Sequence, residues 1–197
     1  MISSFKEYKY YLECDRVALN ISRKLPRPFT DYVWRFQRLL RRYEYVNNCK
    51  PYPPIIQYIA LFLIKIRFSR MSVRLGFDIP INVIGPGLCI VHPGTIVISR
   101  HAKIGKNFRI HEGVTIGATN KEVAAATIGD NVFISSGAKI IGAIKINDNV
   151  AIAANAVVIK DIDYGTHGGV PSHKISDHTS GFNLRSSTDI VNKYFGI

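Results

Sequence analysis

The chain has 197 residues, of which 47% are hydrophobic, a content that supports a packed core and excludes a largely disordered protein. Its net charge of +12 is unevenly placed. Residues 1–76 hold 15 Lys and Arg against 5 Asp and Glu, whereas residues 77–197 hold 11 against 9. The basic residues of the first half are scattered along helical sequence rather than clustered in a run, which argues against nucleic acid as the partner.

The cysteine spacing and the hydropathy of the chain indicate the cellular compartment and whether a segment can span a membrane. Cys14, Cys49 and Cys89 have no spacing typical of a metal site or a redox pair, which predicts no metal and favours a reducing compartment. The N-terminal segment is too polar for a secretory signal, so we expect a cytoplasmic protein. The most hydrophobic segment, residues 55–68, is interrupted by one Gln and two cations and is shorter than the roughly 20 residues that span a bilayer. It predicts a buried helix and no transmembrane segment.

Apolar residues recur at helical spacing in three segments of the basic half, residues 4–20, 31–47 and 55–75. A proline-rich break separates the second segment from the third, and Gly76 ends the third. These segments predict an N-terminal helical domain of residues 1–76.

The second predicted helix carries most of the arginines. Thr30 or Asp31 can cap its N-terminus, because both side chains accept hydrogen bonds from free backbone N–H groups. We expect its arginines to form a solvated face, with contact to a membrane surface as the alternative. They are Arg35, Arg38, Arg41 and Arg42.

Beyond Gly76 the sequence repeats every six residues. The register reads "ISRHAK IGKNFR IHEGVT IGATNK" from Ile98 and "IGDNVF ISSGAK IIGAIK INDNVA IAANAV VIKDID" from Ile128. Ile or Val opens every hexad, and Gly, Asn and Asp recur at the turns. Such a period predicts short parallel strands stacked so that the opening residues form one interior column. The fold class is therefore α+β, with a helical domain followed by a parallel β-helix.

These hexads resemble the hexapeptide-repeat acyltransferases, and the resemblance implies a left-handed β-helix over residues 77–176. A narrower resemblance rests on "LGFDIPINVIGPGLCIVHPGTIVIS", "IHEGVTIG" and "GGVPSHKIS". Together with the helical half, these segments are similar to serine O-acetyltransferases of the short type associated with capsule and surface-polysaccharide genes. The resemblance covers about residues 1–176 and leaves 177–197 as a C-terminal tail.

His92 is the candidate catalytic base. Extending the register backward places His92 at an opening position, where later hexads have Ile or Val. An imidazole can accept the proton of an alcohol that attacks a thioester. The resemblance, through the pattern HxGxxV, implies that role for His92, and it implies that Asp78 in "FDIP" orients the imidazole. This chain has one residue fewer between Asp78 and His92 than the typical serine enzymes.

The other histidines are predicted to carry less. His101 and His111 lie at turn or outward positions of regular hexads, so we expect solvated or lining side chains. His167, His173 and His178 belong to the C-terminal part and are expected to face solvent.

Two departures from the serine enzymes fall on acceptor recognition. The register lapses between Ile116 and Ile128, which predicts a loop that leaves the coil. The resembling enzymes carry an Arg-His pair in that loop that holds the acceptor, whereas this chain has alanines, Ala124, Ala125 and Ala126. Val91 also stands where those enzymes have an acceptor-binding Asp.

Acetyl-CoA enters as the cosubstrate through the resemblance alone, since the sequence has no P-loop or dinucleotide glycine pattern. In the family, the pantetheine arm lies in a groove between two subunits. The matching positions here are Gly117, Ala118, Thr119, Ser136, Ala154 and Lys174.

The sequence thus predicts an acetyl-CoA-dependent O-acetyltransferase, with serine as the leading small-molecule acceptor. Two alternatives stay open. One is an O-acetyltransferase that acts on a sugar of a surface polysaccharide, and the other is a catalytically silent β-helix that serves as a scaffold. The resemblance implies a homotrimer, and the short helices favour it over a dimer of trimers.

Overall fold

The computed structural model describes residues 1–119, 124–182, 184 and 186–195. The described residues contain four α-helices, α1 Phe5–Ala18, α2 Tyr32–Cys49, α3 Pro54–Leu75 and α4 Ser187–Phe195. The first three confirm the predicted helical segments. Ser4 caps α1 by accepting a hydrogen bond from the Glu7 N–H, α3 begins after Pro53, and Gly76 ends α3 in the left-handed conformation.

Residues 77–176 form short strands in three sheets. They are β1 Phe77–Asp78, β2 Cys89–Ile90, β3 Ile96–Ile98, β4 Lys103–Ile104, β5 Arg109–Ile110, β6 Thr115–Gly117, β7 Thr127–Ile128, β8 Phe133–Ile134, β9 Lys139–Ile141, β10 Lys145–Ile146, β11 Ala151–Ile152, β12 Val157–Val158, β13 Thr166–Gly168 and β14 His173–Ser176. The sheet orders are β1-β3-β6-β9-β12, β10-β7-β4 and β14-β13-β11-β8-β5-β2. Every pairing is parallel except β13 with β14. The chain therefore winds as a three-sided parallel β-helix.

The interior of the β-helix is the predicted apolar column. Ile110, Ile134 and Ile152 are fully buried and stack on one another through consecutive strands of the six-stranded sheet. Their stacking joins the coils into one hydrophobic core that also includes Phe36 and Leu40 of α2. Because each coil packs on its neighbours, the first coil needs a cover, and the helical domain supplies it.

Buried side chains of α1 and α2 cap the first coil. Gln37 donates from Nε2 to the Leu88 carbonyl at 2.7 Å and accepts from the Ile90 N–H at 3.2 Å, so its amide takes the place of a neighbouring strand along β2. Asp15 accepts from the N–H groups of Gly87 and Leu88 at 3.0 and 2.8 Å. The helical domain thereby fixes the backbone directly before His92.

Arg41 belongs to this cap, and its predicted place on a solvated face is wrong. Its side chain is fully buried, donates to Asp15 at 2.8 Å and Glu44 at 3.0 Å, and also donates to the carbonyls of Ile84 and Gly85. A buried guanidinium needs this set of acceptors because desolvation of the charge is costly. Helical periodicity alone does not separate Arg41 from the exposed Arg42 beside it.

The C-terminal segment folds back onto both halves of the molecule. Asn107 lies in a left-handed turn, with φ of 55°, and its Oδ1 accepts from the Ser187 hydroxyl at 2.8 Å and the Thr188 N–H at 3.0 Å. Helix α4 continues from this point along α1, where the Tyr10 hydroxyl donates to Asn192 at 2.8 Å. The expected tail is thus a docked segment over its described residues.

Candidate active site

His92 lies in the turn between β2 and β3, and its predicted position in the interior column is wrong. Ile90 occupies that column, because it is fully buried and pairs with Ile110. Ile90 and Ile98 are eight positions apart, whereas Ile110 and Ile116 in the next coil are six apart. The two additional residues lengthen this turn, so the His92 side chain is exposed at a corner of the β-helix.

The corner brings His92 to side chains from the next two coils. The rings of His92 and His111 lie edge to face, with centroids 5.9 Å apart and an interplanar angle of 86°. His111 also packs on Phe133, with centroids 5.2 Å apart, and its Nδ1 lies 3.4 Å from the Ser136 hydroxyl. His111, expected to be solvated or lining, is thus partly buried at this corner, and its contact with His92 could not be predicted from the sequence.

Glu112 completes this cluster and was missed by the sequence reasoning. A Cβ placed on Gly94 would lie 2.8 Å from the Glu112 Cβ, so the Glu112 side chain lies directly against the His92 turn. The Ser136 hydroxyl and the N–H of Glu112 itself lower the pKa of the Glu112 carboxyl, and both histidines add to the effect. The carboxylate therefore stays charged at neutral pH beside His92.

His111 has the opposite character. Partial burial lowers the pKa of its imidazole, and the nearby Arg109 lowers it further. His111 is therefore neutral at neutral pH. Two buried atoms of the corner, His111 Nε2 and Glu112 Oε2, have no hydrogen-bond partner among the described residues. Buried polar atoms are usually paired, so these two are available to a bound molecule.

A cleft of about 350 Å³ adjoins His92 on the side of the helical domain. Val91 and Pro93, the two neighbours of His92, line it together with Thr30, Asp31 and Tyr32. The cleft is large enough for a small acceptor, and Asp31 at the start of α2 is part of its lining.

Asp31 holds a charged oxygen in this cleft. Desolvation opposes ionisation of the carboxyl, but hydrogen bonds from the Arg23 side chain and the Arg27 N–H outweigh it, so the pKa of Asp31 is lowered. Both hydrogen bonds end on Oδ2, and no described residue donates to Oδ1. Asp31 was expected as a cap of α2, but its side chain makes no capping hydrogen bond.

Asp78 lies on β1, where it pairs with Val97 of β3 and is exposed. No hydrogen bond or ion pair joins Asp78 to His92 within the described part of the chain. The orienting role of Asp78 stays a prediction, and Glu112 is the carboxylate that the fold places against the turn of His92.

The candidate cofactor residues lie at two different corners of the β-helix. Ser136 and Ala154 follow β8 and β11, at the corner that carries His92. Gly117, Ala118 and Thr119 follow at the far end of β6, beyond a three-residue strand of about 10 Å. One chain therefore does not bring the two sets into a single groove.

Lys174 lies on β14 and is already engaged. Its Nζ forms an ion pair with Asp177 and lies 4.2 Å from the centroid of the Tyr164 ring. A phosphate that meets Lys174 would therefore compete with an existing carboxylate partner. The remaining histidines, His101, His167, His173 and His178, are at least partly exposed and lie outside the His92 cluster.

The alanine segment is only partly in the predicted loop. Residues 120–123 lie outside the described residues, and Ala124 is exposed. Ala125 and Ala126 belong to the hydrophobic core, and the Ala126 carbonyl already accepts from the Lys103 N–H. The expectation of a loop is thus wrong for these two residues, because the coil resumes before Ile128.

Metal ligands do not converge in the part of the chain that the structure describes. No group of three or more His, Cys, Asp or Glu side chains there could hold a metal ion.

Comparisons with known proteins agree with this fold. Residues 125–160 match the family model of the bacterial transferase hexapeptide (six repeats). A serine acetyltransferase of Staphylococcus epidermidis is 46% identical over 84 residues, which are 41% of this chain and 38% of that relative. The match thus spans less than two fifths of the length of the relative.

Solved structures match over most of the chain. A serine acetyltransferase from Brucella abortus is 26% identical, with a TM-score of 0.70 over 89% of this chain and 71% of its own. The Neisseria gonorrhoeae serine acetyltransferase in complex with serine is also 26% identical, with a TM-score of 0.65 over 85% of this chain and 68% of its own. A serine acetyltransferase in complex with CoA is 24% identical and has a TM-score of 0.65. The predicted fold, a helical domain followed by a left-handed β-helix with hexapeptide repeats, is confirmed.

Proposed function

We propose that the protein is an acetyl-CoA-dependent O-acetyltransferase that uses His92 as general base and L-serine as acceptor. The observation that carries the proposal is the corner itself. An exposed imidazole packs against His111 beside two buried polar atoms that have no partner among the described residues, and its two chain neighbours line a cleft of small-molecule size, on a fold shared with serine acetyltransferases. Similar proteins are known in complex with CoA and with serine.

The chemistry requires one proton acceptor. His92 takes the proton of the acceptor hydroxyl as its oxygen attacks the thioester carbon, and it returns the proton to the departing CoA thiolate. No acyl-enzyme forms. The negative Glu112 stabilises the imidazolium that arises on His92, whereas His111 stays neutral and does not oppose the protonation of His92. We assign Asp78 as a further positioning residue of His92.

Serine is favoured by the charges of the cleft. An amino acid presents an ammonium group, and we assign as its acceptor Oδ1 of the ionised Asp31, which lines the cleft together with Val91 and Pro93. The alanines leave the acceptor carboxylate without the Arg-His pair of the resembling enzymes, and Val91 stands in place of their acceptor-binding Asp, so serine should bind weakly. The same departures support the alternative acceptor, a neutral sugar hydroxyl of a surface polysaccharide.

We infer a homotrimer with a groove between subunits for the pantetheine arm. The His92 corner and the Gly117–Thr119 corner lie on opposite edges of the β6 sheet, and a closed ring of three prisms brings one corner of each chain against the other corner of its neighbour. Each site is then complete only in the ring. We place this trimer in the cytoplasm, where acetyl-CoA is available and the three free thiols stay reduced.

The test is thiol release from acetyl-CoA with L-serine and with a panel of sugars. His92→Ala should lower turnover by about two to four orders of magnitude with an unchanged melting temperature, whereas His178→Ala should leave turnover unchanged. A parent that turns over a sugar faster than serine assigns the polysaccharide alternative. If none of the acceptors supports thiol release, the result would favour the silent scaffold and refute the enzyme.

A further inference from the structure

Helix α3 has a second apolar face that points away from the core. Its inward side buries Ile64 and Leu75, whereas large side chains on its outward side remain in solvent. The outward residues recur at spacings of three, four and seven, which places them in one stripe along the helix. The outward stripe consists of Ile55, Ile59, Phe62, Ile66 and Val73, and four of these are 50–83% exposed, with Ile66 partly exposed.

Cations flank the outward stripe without any exposed anion. Lys65, Arg67, Arg70 and Arg74 are exposed on α3, and the helix contains no Asp or Glu. Residues 32–76 contain a single acidic residue, Glu44, which is buried against Arg41. This face of the helical domain is therefore both apolar and uniformly positive.

The cations converge on an open cleft at the end of the stripe. The cleft has a volume of about 800 Å³ and lies between the start of α2 and the second half of α3. Ile66 and Val73 of the outward stripe line it. Its four charged lining residues are all arginines, Arg35, Arg67, Arg70 and Arg74. A cleft with four guanidinium groups and an apolar border fits a phosphate group attached to a hydrocarbon chain.

We propose that the helical domain docks on the surface of an anionic phospholipid bilayer, with the outward stripe at the acyl boundary and the arginine cleft on phosphate headgroups. Apolar contact and electrostatic attraction are the two signals that stable interfacial binding needs, and this face carries both. No helix among the described residues is long and apolar enough to cross a membrane, so the contact is peripheral.

Charge complementarity selects this occupant over two others. A second copy of the chain would set Lys65 and the arginines of α3 against the same cations, and like charges repel. Nucleic acid or an acidic soluble protein would pair the arginines but leave Ile55, Ile59 and Phe62 in water. An anionic lipid surface satisfies the two parts of the face together, because it offers both phosphate groups and an acyl boundary.

The experiment is co-sedimentation of the full chain with vesicles, which does not depend on the proposed acetyltransferase activity. Binding is expected to phosphatidylcholine vesicles that contain phosphatidylglycerol, and not to phosphatidylcholine alone. Arg70→Gln/Arg74→Gln should weaken binding by about 25-fold, at about fivefold for each cation removed. Ile59→Ser/Phe62→Ser should weaken it by about tenfold or more.

The matched control is Lys145→Gln/Lys160→Gln, which removes the same charge from exposed positions of the β-helix and should leave vesicle binding unchanged. Equal losses in the control and in the arginine variant would overturn the proposal, because binding would then follow net charge alone. Displacement from vesicles by inorganic phosphate at constant ionic strength would assign the cleft to soluble phosphate instead. A change of oligomeric mass in Ile59→Ser/Phe62→Ser without a loss of vesicle binding would assign the stripe to a second copy.

Discussion

Gln37 gives the sharpest test of how the helical domain serves the site. Replacement by Leu removes the buried amide and leaves the Leu88 carbonyl and the Ile90 N–H without partners. Each unpaired group costs about 1–3 kcal/mol, and the apolar side chain recovers part of this, so we expect a net loss of about 1–4 kcal/mol of unfolding free energy. Because these residues lead directly into the His92 turn, turnover should fall by about tenfold or more.

The assay is urea unfolding at one fixed protein concentration, together with thiol release at saturating acetyl-CoA and serine. Gln57→Leu is the matched control, since Gln57 is also buried and donates to the Val46 carbonyl at 2.7 Å, far from His92. Gln57 Oε1 is unpaired, so the removal of this buried oxygen offsets part of the stability lost with the hydrogen bond. Turnover should not change in this control. If Gln37→Leu fails to fold, Gln37→Met removes the same two hydrogen bonds with an unbranched apolar side chain of similar length. Parental unfolding and turnover in both Gln37 variants would refute the capping role.

Three further outcomes are expected. Because the pKa of His111 is depressed in the folded protein, the unfolded chain takes up the proton first as the pH falls, so stability should decrease below about pH 6.5. His111→Gln should make the melting temperature less dependent on pH between about pH 7 and pH 5. Gly94 has φ of 143°, and the Cβ of Gly94→Ala would press against Glu112, so this variant should lose most of its turnover with only a small fall in melting temperature. A large fall in melting temperature with parental turnover would contradict the placement of Glu112. Asn107→Ala should lower the free energy of unfolding by about 2–4 kcal/mol and expose α4 to proteolysis. Asn149→Ala, at a similar φ but with a single side-chain hydrogen bond, from Asn131, should lower it less in the same urea titration.

The β-helix was predictable because its coils are redundant. Any one hexad is weak, but Ile or Val at ten openings, four before the lapse in the register and six after it, fixes the column, and the structure places Ile98, Ile110 and Ile134 there. The same periodicity misplaced His92, because a repeat carries no signal for two residues inserted into a single turn. Insertions of this kind are invisible until the pairing of Ile90 with Ile110 is known.

The contacts of the site were less predictable than its residues. His92 could be singled out, but His111 and Glu112 reach it only because successive coils place residues about 20 apart in sequence at the same corner. Asp31 reaches the cleft from another domain. Such convergence depends on how the helices pack over the first coil, and local propensity does not encode that packing. The burial of Arg41 has the same origin.

The docking of α4 on α1 sets the order in which the molecule can be completed. Tyr10 and Asn192 are 182 residues apart, yet they meet because the rigid coil between them holds both ends of the chain at one side. Closing this contact costs little entropy once the coil exists, and a great deal before it does. During synthesis, α1 emerges before the repeat array and α4 after it, so the face of α1 beneath α4 stays uncovered until the array has been made. The docking of α4 on α1 is therefore a late step of folding, which follows the formation of the coils between the two helices.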